Sequence, residues 1–418
     1  MKNVIGALGL LLLAVAWGPA SPADEVVLLI SGDTHGYLSP CGCTKPMTGG
    51  IRRRATAIRN LSKGKKAVIL ENGNLVHGEG RQDELKAETL AEALRDMNVT
   101  AINLGRHDAA LGPGLLLSVQ RLSGDKIISG SIAKSPTFEV PEFTISNGLI
   151  IGGASTKPDE LARKLHEHPI EVEQTVAALE REALSSGLAP VLLLDGDEAE
   201  ARNIARNHQN LTLIAHTSSG DPALNPLRIG KTWLVSSGEK GKSIIKITMA
   251  NGKPTAYSAI KLQPEFGDDK AVSSLYRSYL DRVRDEGLLD KLPRSPSAGY
   301  AGSGSCKSCH ALAYNTWKAS KHYSALNTLE ADNHDRDPDC VSCHVVGLQF
   351  NDGFKSRSKT PSFAQVGCES CHGPSAAHVA APTKSKSLGT AKNACTDCHN
   401  VNHSPTFDFQ KYWPKIRH

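Results

Sequence analysis

From Asp24 to about Gln263, short apolar runs alternate with longer segments whose apolar residues recur at helical spacing. The short runs predict strands at Val26–Ser31, Ala67–Leu70, Ala101–Leu104, Val191–Leu194, Leu211–Ala215 and Trp233–Ser236. The helical spacing predicts helices at Gly50–Leu61, Asp83–Met97, Glu171–Leu184 and Glu198–Asn207. Asn147-Gly148 and Asn251-Gly252 sit between β-rich runs and read as hairpin turns, where the backbone needs a positive φ. Strands and helices in alternation predict an α/β domain, with a mixed sheet and flanking helices, over residues 24–265. A helix at Ser273–Leu292 and a linker at Pro293–Ser305, rich in Pro, Gly, Ser and Ala, bridge residues 266–299. Beyond them, in residues 300–418, the periodicity fades. Tyr314–Leu329 predicts one helix, and most of the rest is Gly, Pro, Ser and polar loop.

The N-terminus has a pattern of its own. Lys2 precedes an uncharged stretch, Val4–Trp17, and small residues follow at Ala20 and Ala23. Residues 1–23 read as a cleaved signal peptide, because the apolar run is shorter than the roughly 20 residues of a membrane span. The mature chain is expected in the periplasm or at the outer surface, with no integral membrane span after cleavage. The formal charge of +5 invites nucleic acid as a partner. It is set aside: Arg52–Arg54 is a short run, and no Lys/Arg cluster is interleaved with aromatics.

Ten cysteines change the picture. Eight of them form four pairs with two intervening residues, each followed at once by histidine: Cys306/Cys309/His310, Cys340/Cys343/His344, Cys368/Cys371/His372 and Cys395/Cys398/His399. This is the c-type haem attachment signature. Two thiols three positions apart each reach one vinyl group of a porphyrin, and the adjacent histidine faces the iron. Structural zinc does not require the histidine after every second cysteine, and disulfide frameworks show no such regularity. Four covalent haems are therefore expected. They would be the core of residues 300–418, where side chains alone bury little.

Each iron needs a sixth ligand. Met1, Met47, Met97 and Met249 all lie outside the haem region, so methionine from within it is excluded. The spare histidines are His322, His334, His378, His403 and His418, five candidates for four irons. The order of preference is His322, His378 and His418, then His403, then His334. Bis-histidine ligation implies lower potentials than His/Met ligation.

The runs Tyr300–His322, Val366–His378 and Phe407–His418 resemble the cytochrome c five-fifty-four family of multihaem electron carriers. The resemblance covers about the last 120 residues. It implies closely stacked haems, mostly bis-histidine ligation and in some members one five-coordinate iron. On the family pattern His322, His378 and His418 fall where distal ligands are expected.

Ile30–Gly36, leading to Gly49-Gly50, resembles the opening of calcineurin-like metallophosphoesterases of the five-prime nucleotidase type. That resemblance implies metal ligands at Asp33 and His35. Later blocks depart from the family. A Gly-Asp block reads Gly73-Asn74, and a Gly-Asn-His-Glu block reads Gly105-Arg106-His107-Asp108. A histidine after Leu194 is replaced by Asp195-Gly196, and a Gly-His-x-His block reads Ala215-His216-Thr217-Ser218. A two-cation phosphoesterase needs a bridging carboxylate and roughly six or seven ligands. Asp33, His35, His107 and His216 survive as candidate ligands for one divalent cation, and the reading is a retained fold with a lost hydrolase site. Cys41-Gly42-Cys43 is a further candidate for one soft metal such as copper or zinc.

No residue is assigned a catalytic role. The expected function is respiratory electron transfer with redox partner proteins, either other cytochromes or quinol-linked complexes. The alternatives are an oxidoreductase with one open haem iron, or an active metal-dependent phosphoesterase.

Overall fold

A computed structural model describes residues 25–40, 47–136, 138–384, 394–400 and 403–418. The signal region, Cys41 and Cys43 lie outside the described residues. The N-terminal part has twelve strands: β1 Val26–Ser31, β2 Lys66–Glu71, β3 Ala101–Asn103, β4 Ile127–Ile128, β5 Phe143–Ser146, β6 Leu149–Ser155, β7 Ala189–Asp195, β8 Leu213–His216, β9 Leu227–Ile229, β10 Thr232–Val235, β11 Ser243–Ala250 and β12 Lys253–Lys261. They form two six-stranded mixed sheets, in the orders β12-β11-β1-β2-β3-β4 and β5-β6-β7-β8-β10-β9. β1, β2, β3 and β4 run parallel, as do β6, β7, β8 and β10, while hairpins make the antiparallel edges. Both Asn-Gly pairs turn those hairpins, with Asn147 and Asn251 at φ 50° and 52°.

Alternation along β1 builds the layers. Val26, Leu28 and Ile30 face the second sheet, packed on Ile151, Leu193 and Leu213. Val27 and Leu29 face the opposite way, toward helices α1 Ile51–Ser62, α2 Arg81–Asp96 and α3 Gly112–Leu122. After α4 Pro158–Leu165 come α5 Val172–Ser186 and α6 Glu198–Asn207, which cover the outer face of the second sheet. Asp197 and Glu200 close a capping box at the start of α6. The result is helices, sheet, sheet, helices. α3 and α4 were not expected from the sequence: α3 opens on Gly112-Pro113-Gly114, and α4 has only eight residues.

α7, Lys270–Asp285, begins three residues earlier than expected because Asp269 accepts from Val272 N at its start. It packs with α1 and α2 in the first core. In the C-terminal segment the single helix expected at Tyr314–Leu329 is two, α8 Ala311–Lys318 and α9 Ala325–Ala331. The break puts His322 on a turn rather than on a helix face. This segment also has a small apolar core of its own, centred on Val341, Val346, Leu326 and Phe354. The polar composition had hidden it.

Candidate functional site

Each of the four Cys-Cys-His groups sits on a tight turn. Cys368–His372 and Cys395–Cys398 are helical, Cys306 ends the turn Ser303–Cys306, and Cys340 sits in Pro338–Val341. Backbone bonds from His310 N to Cys306 O (2.9 Å) and from His399 N to Cys395 O (2.8 Å) bring the histidine back over the first cysteine. None of these eight cysteines is paired in a disulfide. The buried Glu369 carboxylate, between Cys368 and Cys371, accepts from Ala301 N, Gly302 N, Ser375 N and Ser375 Oγ at 2.6 to 2.9 Å. It ties three segments around that turn.

The other histidines stand opposite these turns. His310 and His378 have ring centres 6.2 Å apart, His399 and His322 6.1 Å, and His372 and His418 5.9 Å. Two imidazoles bound at about 2.0 Å to opposite faces of one metal ion have their centres roughly 6.2 Å apart. The three pairs fit a haem iron. Nδ1 bonds orient several of the rings: His344 toward Ala325 O (2.7 Å), His399 toward Ser404 Oγ (2.9 Å) and His418 toward Ile416 O (3.0 Å). With Nδ1 engaged, Nε2 is left to ligate.

Among the described residues His344 makes no ring contact with another imidazole, and His322, which feels its charge, is already opposite His399. His334 is engaged elsewhere: its Nε2 meets Tyr276 Oη of α7 at 2.9 Å. His403 lies where the two parts of the chain meet, within reach of the charges of Lys240 and Asp339, and burial followed by Lys240 lowers its pKa.

These turns line one cavity of about 3120 Å³, several times the roughly 300–1,000 Å³ of an ordinary ligand pocket. Seven of the eight paired cysteines and all four adjacent histidines face it. Sulfur contacts link the turns in a row. The sulfur of Cys306 lies beside that of Cys368, Cys371 beside Cys395, and Cys398 beside Cys343. The attachment turns thus follow one another in the order first, third, fourth, second.

The opposite wall of the cavity belongs to the N-terminal part, with His35, Tyr37, His77 and Lys240. Lys86 of α2 pairs with Asp339, and Gln82 Nε2 donates to Asp337 Oδ1 at 2.7 Å. Here the carboxyl ends of the parallel strands converge, the usual ligand position in such sheets. Gly73 has φ 86°, and a Cβ there would lie 2.4 Å from Asn103 O, so only glycine lets the β2 loop pass. That loop delivers Asn74, whose Nδ2 donates to Asp33 Oδ1 at 2.9 Å and to Asp195 Oδ1 at 3.2 Å. Arg106 donates to Asp195 from its backbone N (2.8 Å) and from Nε (3.2 Å).

The two carboxylates that could take cations therefore hold an amide and a guanidinium. A pair of hard cations does not fit this donor set. Burial, followed by the charges of Asp195 and Glu71, pushes the Asp33 carboxyl well above its usual range, against the Asn74 bond. Asp108, by contrast, serves the backbone, accepting from Asn74 N and Leu75 N at 2.8 and 2.7 Å.

His35 and His107 come together, and His77, which the sequence reading passed over, joins them. Burial, then His107 and His77, pulls the His35 pKa down to about 4. His216 answers to other neighbours: its Nδ1 faces Thr217 O at 2.8 Å, and Glu198, Asp197 and Arg202 supply the charges that reach it.

Residues 305–373 match the family described as cytochrome c554 and c-prime. Residues 305–373 are thus similar to the cytochrome c554 family. The cytochrome c-554 of Nitrosomonas europaea is 35% identical over 92 residues, which are 18% of this chain and 39% of that protein. The family implies covalently bound haem c in this cytochrome segment and a haem electron-transfer role.

The N-terminal part is similar in fold to a 5'-nucleotidase precursor from Thermus thermophilus, with a TM-score of 0.54 and 18% identity. The match covers 67% of this chain and 63% of that one. NAD nucleotidase of Haemophilus influenzae matches at TM-score 0.55 and 14% identity, over 67% of this chain and 64% of that one. The sulfate thiohydrolase SoxB of Thermus thermophilus matches at 0.54 and 16%, over 72% and 68%. These likenesses establish a 5'-nucleotidase-type fold beside the cytochrome segment. Among the described residues no helix is long and apolar enough to cross a membrane.

Proposed function

We propose that this chain is an exported electron-transfer protein that carries four covalent haems in residues 300–418, beside a 5'-nucleotidase-like domain without phosphoesterase activity. The observation that carries this reading is the three imidazole pairs, 5.9 to 6.2 Å apart, set on Cys-Cys-His turns around one cavity. Bound there, haem supplies one-electron chemistry.

The chain's own residues do the holding and tuning. Cys306, Cys309 and His310 with His378 form one holder, and Cys368, Cys371 and His372 with His418 form another. Cys395, Cys398 and His399 with His322 form the third complete one. Cys340, Cys343 and His344 form the fourth, in which His344 has no opposing imidazole among the described residues. The four attachment turns lie side by side around one cavity, as a one-electron relay requires. Partners are redox proteins outside the cytoplasm, other cytochromes or quinol-linked complexes, and the 1–23 segment is the export signal.

The unopposed His344 favours a second reading, an oxidoreductase that works at that position. Carbon monoxide separates the two. The reduced protein should bind it at one haem in four. Binding at none would mean that His403 or another group closes the fourth position, and only the carrier would remain. For the N-terminal domain, phosphate release from nucleotides or aryl phosphates with added manganese should be negligible. Turnover at ordinary enzymatic rates would reverse that part of the reading.

A further inference from the structure

Beside the cavity, which His35 and His77 line, the N-terminal domain carries a cluster of imidazole side chains that neither the haem holders nor the Asn74 network uses. His35 follows β1, His77 follows β2 and His107 follows β3, so three neighbouring parallel strands each deliver one imidazole. Their ring centres are 5.5 Å (His35–His77), 5.5 Å (His35–His107) and 4.6 Å (His77–His107) apart. An imidazole bound at about 2.0–2.1 Å has its centre roughly 3.2 Å from the ion. Bond angles between about 90° and 120° then separate the centres by about 4.5 to 5.5 Å. All three observed separations match that span to within a tenth of an ångström.

A second observation points the same way. His35 Nδ1 is buried and has no hydrogen-bond partner. As the side chains stand, no trio of His, Cys, Asp or Glu among the described residues has its ligating atoms gathered on one point. A half-turn of an imidazole about Cβ–Cγ exchanges ring carbon for nitrogen and leaves the ring centre almost where it was. His77 is exposed and gives an ion its way in.

We propose that His35, His77 and His107 bind one first-row transition-metal dication, taking copper in preference to zinc. The donor set decides the class. Imidazole suits copper, zinc and nickel, whereas magnesium, manganese and calcium want oxygen, and the nearby Asp33 and Asp195 carboxylates are held by Asn74 and Arg106. Copper heads the divalent affinity order. The site differs from a two-cation hydrolase centre in using His77 and in leaving those carboxylates aside. It stands on the N-terminal domain alone, so its failure and the failure of the haem reading are separate outcomes.

The test uses the full-length, haem-loaded protein. Copper(II) or zinc(II) alone is added, excess ion is removed by gel filtration, and bound metal is counted against haem iron. The expected result is one copper retained per chain, with nitrogen splitting in its electron paramagnetic resonance spectrum. His77→Ala alters an exposed side chain and should leave the haem spectrum and circular dichroism unchanged, yet weaken copper retention at least tenfold. His107→Gln should do the same, and Cys41→Ser with Cys43→Ser should change nothing. No retained copper, retention indifferent to both histidine variants, or retention lost only with the cysteines would each overturn the proposal.

Discussion

Asn74→Asp tests the claim that an amide occupies the place where a two-cation centre would sit. In the parent, Asn74 Nδ2 donates to Asp33 Oδ1 and Asp195 Oδ1. Hydrogen bonds to charged acceptors are each worth about 1.5–3 kcal/mol, so losing both costs about 3–6 kcal/mol. The new carboxylate also faces two others, which at an effective dielectric near 20 adds a few kcal/mol until one of them takes up a proton. Proton uptake relieves part of this, and a net loss of about 4 kcal/mol at pH 8 is expected.

The sign against pH follows from the Asp33 carboxyl already lying above its usual range. A folded state that binds more protons than the unfolded one loses stability as pH rises, so the variant should be worst at high pH and recover at low pH. Amide hydrogen exchange read by mass spectrometry over Lys66–Glu71 and the loop after it is the assay. About 4 kcal/mol corresponds to roughly a thousandfold faster exchange at pH 8, shrinking at least tenfold toward pH 5. Protection equal to the parent at both pH values would refute the reasoning.

Other consequences are as specific. Removing the imidazole opposite His372 with His418→Ala should raise the carbon monoxide-binding fraction of the reduced protein by one haem, read in the optical spectrum. An unchanged fraction would mean that His418 is not a ligand. Glu369→Ala strands three backbone N–H groups and the Ser375 hydroxyl. It should cost about 3–5 kcal/mol in denaturant titration of the cytochrome segment, whereas a loss below about 1 kcal/mol would show that water replaces the carboxylate. Burial lowers the His334 pKa, so the folded interface binds fewer protons and weakens as pH falls below about 6.5, by at most about 1.4 kcal/mol per unit. His334→Gln should reduce, without abolishing, the rise in proteolysis of the 293–299 linker between pH 7 and 5, because His403 at the same seam also has a lowered pKa.

The elements legible in the sequence were those with one dominant signal. β1 is a pure apolar run and α6 has its capping box, and both were placed to the residue. The Asn-Gly turns announced their hairpins. The strand pairs that make two sheets rather than one were not legible, because β4 and β9 have only two and three residues and are specified by their neighbours.

At the site, the four cysteine pairs were plain because covalent chemistry demands fixed spacing. The pairing of His310 with His378, and of His399 with His322, depends on how the chain folds back, and spacing carries no trace of it. His77 sits three residues beyond the Gly73-Asn74 block. Its meaning appears only once three parallel strands set their loops side by side.

The most direct test of the account is the intact mass of the protein matured through its native export route. The account predicts a chain lacking residues 1–23 and heavier by four haem groups that survive denaturation, with the optical spectrum of low-spin haem dominating. A mass matching the bare polypeptide, or haem lost on unfolding, would contradict it.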